Sequence, residues 1–403
     1  MPPHATRRRF LHRASTAAAG AAVALAVPSV RAAPLPLVVW FTPQGAKAMR
    51  QLGAQFTQAT GVPVVVETPD EGPQKFQQAA SAGKGPDVFI YAHDRIGEWI
   101  AGGLIHAVQP TRAFLDDTDP LALQGFSLKG RLWGYPMAIE AITLVYNKAL
   151  VATPPRSFDE VWALDKRLAA QGRRAILWDY QNPYYSWPVL AAQGGYAFGQ
   201  RPDGSHDPQD VGLNHPGAIQ GLELIDRLIR EGAMPRGSSY ANMEAAVAGG
   251  KVAMMINGPW SWVNLKRAGI DFGVARIPSL GGRPASPFVG VKGVLINRST
   301  RQREAAVEFV EHHLLGLQGL RTIDRAEPIG APASRRYFQE LSVDPRIVGI
   351  MDSARDGVPT PSLPEMGRLW SALKTALTNV SEGRQSPRDA LEAAARRTRQ
   401  AAA

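Results

Sequence analysis

Three short apolar runs separated by helical segments limit most strongly what this chain can become. "LPLVVWF" (35–41) is continuously apolar, as a strand buried on both faces must be. In "AKAMRQLGAQF", Met49, Leu52 and Phe56 recur at helical spacing, and Thr60-Gly61 stops the helix. "VPVVVET" (62–68) is β-branched and reads as a second strand, "QKFQQAASAG" as a helix and "DVFIY" (87–91) as a third strand; a further helix runs from about Asp94 to Gly102-Gly103. Strand alternating with helix predicts a parallel α/β sheet, and such sheets bind ligands outside the carboxyl ends of their strands. Asp94 and Arg95, just past the third strand, stand at that place.

The alternation resumes with different spacing. "AITLVYN" (141–147), "AILWDY" (175–180) and "KVAMMING" (251–258) read as strands. "SFDEVWALDKRLAAQG" reads as a helix with Ser157 as N-cap and Glu160 completing a capping box. "PFVGVKGVLIN" (287–297) is a long extended segment, "REAAVEFVEHHLLG" and "MGRLWSALKTAL" are helices, and the C-terminal tail is helical and basic. With 403 residues, two α/β lobes fit better than one very large sheet.

The N-terminus reads as an export signal. Arg7-Arg8-Arg9-Phe10-Leu11 precedes an alanine-rich apolar stretch, Ala14 to Val27, and then Val30-Arg31-Ala32, which suits a signal peptidase. The paired arginines before Phe-Leu resemble the twin-arginine signal. Cleavage after Ala32 would remove five arginines and no acid, lowering the formal charge from +10 to +5. That balance, with no basic run carrying interleaved aromatics, gives no reason to expect nucleic acid as a partner. The chain has no cysteine, which excludes disulfides and thiolate chemistry, and its eight histidines are scattered, so no metal or cofactor is expected.

Two groups of residues carry candidate chemistry. Asp94, Arg95 and Glu140 are the best-placed polar groups; Glu140 lies among apolar residues in "YPMAIEAITLVYN" and needs a partner or a ligand. Position alone serves an ion pair of Glu140 with Arg95 as well as it serves a binding site. Aromatics form the second group: Tyr184, Tyr185 and Trp187 in "QNPYYSWP", Trp260 and Trp262 in "INGPWSW", and Trp370. Exposed aromatic faces suit sugar rings, whose apolar C–H faces lie on them while carboxylates, arginines and amides take the hydroxyls. Spacing assigns most of these rings equally well to a core. Glycoside hydrolysis would need two opposed carboxylates, and spacing selects no pair from Asp94, Glu140, Asp179 and Asp70. No G-x-S-x-G, P-loop or G-x-G-x-x-G stands at a strand–helix junction.

Several long stretches, in order, resemble the maltose/maltodextrin-binding proteins of bacterial ABC importers: "GPDVFIYAHDRIGEWIAGGL", "GYPMAIEAITLVYNK", "PYYSWPVLAAQGGYAF", "AMMINGPWSW", "PFVGVKGVLIN" and "DPRIVGIMDSARDG". The resemblance implies a periplasmic, non-enzymatic, monomeric binding protein. It implies two discontinuous α/β lobes, 33–138 plus 294–339 and 143–287 plus 346–403, with hinge crossings near 139–142, 288–293 and 340–345. An interlobe cleft would hold the sugar, and an inner-membrane permease would receive it. Carried over by position, Asp94 and Arg95 match the pair that bonds sugar hydroxyls, Glu140 a cleft glutamate and Tyr184 a ligand-contacting tyrosine. Trp260 and Trp370 match tryptophans that stack on glucose rings.

The departures are as specific. Where the family has an acid and a lysine after its first strand, this chain has Phe41-Thr42-Pro43-Gln44-Gly45, leaving Thr42 or Gln44 to replace them. Tyr91 stands for a tryptophan, Asn182 for an acid, Ser371 for a tyrosine, Lys374 for an arginine, and Pro73-Gln74 for an acidic pair. Each lost charged hydrogen bond would cost about 1.5–3 kcal/mol if nothing replaces it. A related disaccharide such as trehalose or sucrose, or a secreted carbohydrate-active enzyme on the same scaffold, are the alternatives.

Overall fold

A computed structural model describes residues 34–201 and 205–400; the expected signal segment 1–32 lies outside the described residues. In chain order, the strands that matter are β1 (Leu37–Trp40), β2 (Val64–Glu67), β3 (Val88–Ala92), β4 (Tyr135–Glu140), β5 (Thr143–Asn147), β6 (Arg174–Leu177), β7 (Val252–Asn257), β8 (Phe272–Ala275), β9 (Phe288–Ile296), β10 (Ala331–Pro332) and β11 (Val358–Pro359). They form two separate sheets. The larger has the order β10-β4-β9-β3-β1-β2, with β11 added alongside β9; the smaller has the order β8-β5-β7-β6. With helices packed on both sheets, this is the expected two-lobed α/β architecture.

The first three strands pair in parallel through β1, as the strand–helix alternation predicts. Val88, Phe89 and Ile90 of β3 are all buried, because helices cover both faces of that sheet. On one side Phe76, Phe89 and Trp99 pack together, with Phe76 stacked on Phe89 at 4.8 Å between ring centroids. On the other, Val39, Ile90 and Val294 meet Met49, Phe56 and Phe309. The long extended segment is β9, which pairs antiparallel with both β3 and β4 and reaches β11 through Phe288 and Val289.

Other expectations change in detail. Residues 303–316 read as one helix, but the α-helix Arg303–Glu308 passes into a wide π-helical stretch, Phe309–Leu314. Ser157 caps its helix by accepting from Glu160 N at 3.2 Å; the glutamate carboxylate accepts from Arg156 N instead of closing a box on Ser157. Trp187 and Trp262 are core residues, the former stacked on Phe288 at 4.2 Å. No helix among the described residues is long and apolar enough to cross a membrane.

Candidate functional site

Four strands end at one cleft. β3 runs out into a short 3-10 turn, His93–Arg95, and β4 ends on Glu140. From the smaller sheet, β6 is followed by Asp179 and by the helix Pro183–Ala191, and β7 by Gly258 and the 3-10 turn Pro259–Ser261. The cleft these ends enclose has a volume of about 780 Å³, within the usual range for small-molecule sites. Tyr91, Asp94 and Glu140 line it from the larger sheet, and Asn182, Tyr184 and Trp260 from the smaller. Trp370 and Lys374, on the helix Met366–Ser381, complete that second wall.

Asp94 is the most telling group. Its Oδ1 is buried and has no hydrogen-bond partner, a costly state for a carboxylate oxygen that a ligand hydroxyl would relieve. Burial pushes its carboxyl up to about 6, against the pull of Arg95 and the hydrogen bond to its own backbone. Glu140 is likewise raised, first by burial, with Lys292 acting in the opposite sense and Glu327 adding to the rise. The phenols of Tyr91 and Tyr184 are pushed upward chiefly by burial and stay neutral donors.

The aromatic wall is built by close packing. Tyr184 and Trp260 lie 6.3 Å apart at a tilt of 40°. The indole of Trp260 folds back across Gly258, where a Cβ would come within 2.3 Å of the ring, so only glycine permits that placement. Trp370 stands edge-on to Phe288, 5.4 Å away, and Phe288 is the first residue of β9. These three rings are partly exposed, unlike the core residues Trp187 and Trp262.

Three expected residues are placed elsewhere. Arg95 is not at the cleft: its guanidinium donates to Glu98 at 3.1 Å, one helical turn on, which also removes the alternative of an Arg95–Glu140 pair. Gln44 is exposed beside the first helix and does not line the cleft. Thr42 donates to Glu327 and accepts from Gly45 N. Asn182 lines the cleft but its Oδ1 is committed to capping a helix, accepting from Tyr184 N at 3.1 Å.

The structure also adds lining residues that periodicity could not mark, among them His93, Asp179, Ser238, Ser239, Gly290 and Thr360. Asp179 is raised by burial and held down by Asn182 and Lys374, so the second wall carries its own carboxylate and cation. Its place just past a buried apolar strand was the one available signal. Ser238, Ser239 and Thr360 lie in connecting segments with no such mark.

The profile of the family described as bacterial extracellular solute-binding protein matches residues 42–312. The chain belongs to this family. Its similar relatives include the galactooligosaccharide-binding protein of Bacillus subtilis (strain 168), 29% identical over 377 residues, 89% of this chain and 87% of the relative. The maltodextrin-binding protein of the same organism is 28% identical over 318 residues, 76% of this chain and 75% of that protein. The maltotriose-binding protein of Pyrococcus abyssi (strain GE5 / Orsay) is 28% identical over 358 residues, 85% of this chain and 77% of that one. The family match includes Asp94, Glu140, Asp179, Tyr184 and Trp260, while Trp370 and Lys374 lie beyond its end at residue 312.

Proposed function

We propose that this chain is an exported solute-binding protein that captures an α-linked gluco-oligosaccharide of the maltose/maltodextrin type and delivers it to a membrane ABC permease. The observation that carries the reading is the division of labour across the cleft. A buried, unpartnered carboxylate oxygen on Asp94 faces a wall made of Tyr184, Trp260 and Trp370. Such a site accepts hydroxyl protons on one side and the apolar face of a pyranose on the other. Glu140 and Asp179 add acceptors, while Tyr91 and Lys374 add donors. On this reading the protein holds its sugar and does not cleave it. It acts as a monomer in the periplasm after removal of residues 1–32, with Arg7 and Arg8 directing the export route. The lobes are the segments 33–138 plus 294–339 and 143–287 plus 346–403, swinging on crossings near 139–142, 288–293 and 340–345.

A second reading has its own support: a relative of high coverage binds galactooligosaccharides, and the axial hydroxyl of galactose would be read by these same carboxylates. A thermal-shift panel separates the two. A ligand that binds only the folded state stabilises it by about 2.7 kcal/mol at a hundred times its dissociation constant. The expected result is a large rise in melting temperature with maltotriose, a small one with β-galactobiose, and no glucose released on prolonged incubation. A reversed order supports the second reading, and release of glucose would establish an enzyme. No shift with any saccharide removes the sugar assignment.

A further inference from the structure

The charges missing after β1 are met by a pair from elsewhere. Lys292 Nζ lies 3.0 Å from Glu327 Oε1, with only 14% and 13% of the two side chains exposed. The ammonium also sits 5.5 Å from the centre of the Phe41 ring. The other oxygen of Glu327 accepts from Thr42. Thus the loop after β1, strand β9 and the segment before β10 meet at one buried ion pair. Lys292, Glu327, Phe41 and Thr42 do not themselves line the cleft.

Strand register connects them to the site. Glu140 pairs with Gly290 across the β4–β9 ladder, and Lys292 pairs with Ala138. Glu140 and Lys292 are therefore diagonal neighbours on the same face of the sheet, about 7–8 Å apart at the backbone, a gap that a lysine stem spans. Gly290 has no side chain to intervene: a Cβ there would lie 3.9 Å from Glu140 Oε2. We propose that Lys292, held by Glu327, is a positioning residue for Glu140, governing how strongly that carboxylate accepts a hydrogen bond from the ligand. This rests on the reading that Glu140 touches the sugar.

The charge logic has two opposite arms. Lys292 favours the ionised form of Glu140, and Glu327 opposes it. The other groups facing Glu140 are Asp94, past β3, and the phenols of Tyr91 and Tyr184; Arg95 is turned away to Glu98. An ionised carboxylate accepts a hydroxyl proton about twice as strongly as a neutral one. Removing Lys292 and removing Glu327 should therefore act in opposite directions, which a general loss of packing would not produce.

The test is maltotriose affinity, followed by tryptophan fluorescence between pH 5 and 8.5, for wild type, Lys292→Met, Glu327→Gln, the double variant and Glu140→Gln. Lys292→Met should move the acid limb of binding upward by about one pH unit, a tenfold loss on that limb, recovered at higher pH. Glu327→Gln should move it downward, and the double variant should fall between. Lys292→Arg keeps the cation and should restore the wild-type limb; it also serves if Lys292→Met fails to fold. Both shifts should vanish in a Glu140→Gln background, leaving only the limb that belongs to Asp94. Shifts in the same direction, no shift, or equal shifts without Glu140 would overturn the inference. If Glu140→Gln binds as tightly as wild type at every pH, the assignment of Glu140 to the sugar fails instead.

Discussion

Asp94 is kept in a state the empty protein would not choose. Its carboxyl titrates at about 6 when folded, against an ordinary 3.8, because burial outweighs the attraction of Arg95. A raised carboxylate costs stability above its folded pKa and returns it as the pH falls through 6 towards 3.8. Asp94→Asn should therefore stabilise the sugar-free protein at pH 7, by on the order of 1–3 kcal/mol, with the gain fading as the pH falls from about 6 towards 3.8. The same change should weaken sugar binding by about 1.5–3 kcal/mol, roughly ten- to a hundredfold. Urea unfolding at two pH values, beside a titration with maltotriose, checks both signs; a destabilised variant with unaltered affinity would make Asp94 a structural residue. The rings allow a parallel test. Trp187→Ala should cost about 3–5 kcal/mol of stability, as for a buried aromatic. Trp260→Ala and Trp370→Ala, at partly exposed sites, should cost far less while abolishing most of the affinity; the reverse order of melting temperatures would return them to the core. Most of these side chains could be found from the sequence because they follow buried strands or match a familiar order. Thr42 could not be placed, since its partner Glu327 lies 285 positions away along the chain.

The elements meet at His93, and that junction is where reading by segments stops working. Its Nδ1 accepts from Val291 N of β9 at 2.9 Å, which leaves Nε2 to donate to Thr360 O at 3.0 Å. Thr360 N in turn donates to Val289 O, and Ser362 Oγ donates to the His93 carbonyl. One neutral ring in one tautomer thus ties the end of β3, the middle of β9 and the segment after β11. Burial lowers its pKa to about 4, although the bond to Thr360 O acts the other way. The unfolded chain takes a proton near 6.5 while the folded one waits until about 4, so stability from this group is complete above 6.5 and falls as the pH drops between those values. The loss should reach about 3 kcal/mol at pH 4. His93→Gln, which can still accept and donate, should lack that part of the slope. Denaturation midpoints of both proteins between pH 7 and 4 measure it, and parallel curves would show that His93 is not the titrating group. β8, β10 and β11 went unread, whereas β1, β2, β3, β5, β6, β7 and β9 were legible from apolar runs and β-branched residues. β4 was not, because Pro136 interrupts its pattern and its partner β9 lies about 150 residues on. The π-helical stretch 309–314 was invisible for another reason: widening a helical turn leaves the apolar residues still facing the core.

At the scale of the whole molecule, the two sheets put Asp94 and Glu140 on one side of the cleft and the aromatic rings on the other, an arrangement that gives the proposed closure a cause. A ligand shifts a hinge equilibrium only through contacts it makes better in one state than in the other. Asp94 and Glu140 come from the larger sheet, and Tyr184 and Trp260 from the smaller. Trp370 leans on Phe288, at the start of the strand that enters the larger sheet, so the aromatic wall is anchored at the proposed crossing. A sugar long enough to touch both walls favours the closed form; one that reaches a single wall has little differential affinity and shifts little, however well it binds. Small-angle scattering should show the radius of gyration falling with saturating maltotriose and hardly changing with saturating methyl α-glucoside. Asp94→Asn should compact to the same final radius, but only at roughly ten- to a hundredfold higher maltotriose, because its deficit is in affinity. Equal compaction by the monosaccharide would place every important contact on one lobe. An unchanged radius with an oligosaccharide that demonstrably binds would mean that the cleft is rigid, and the three crossings would then be ordinary connections.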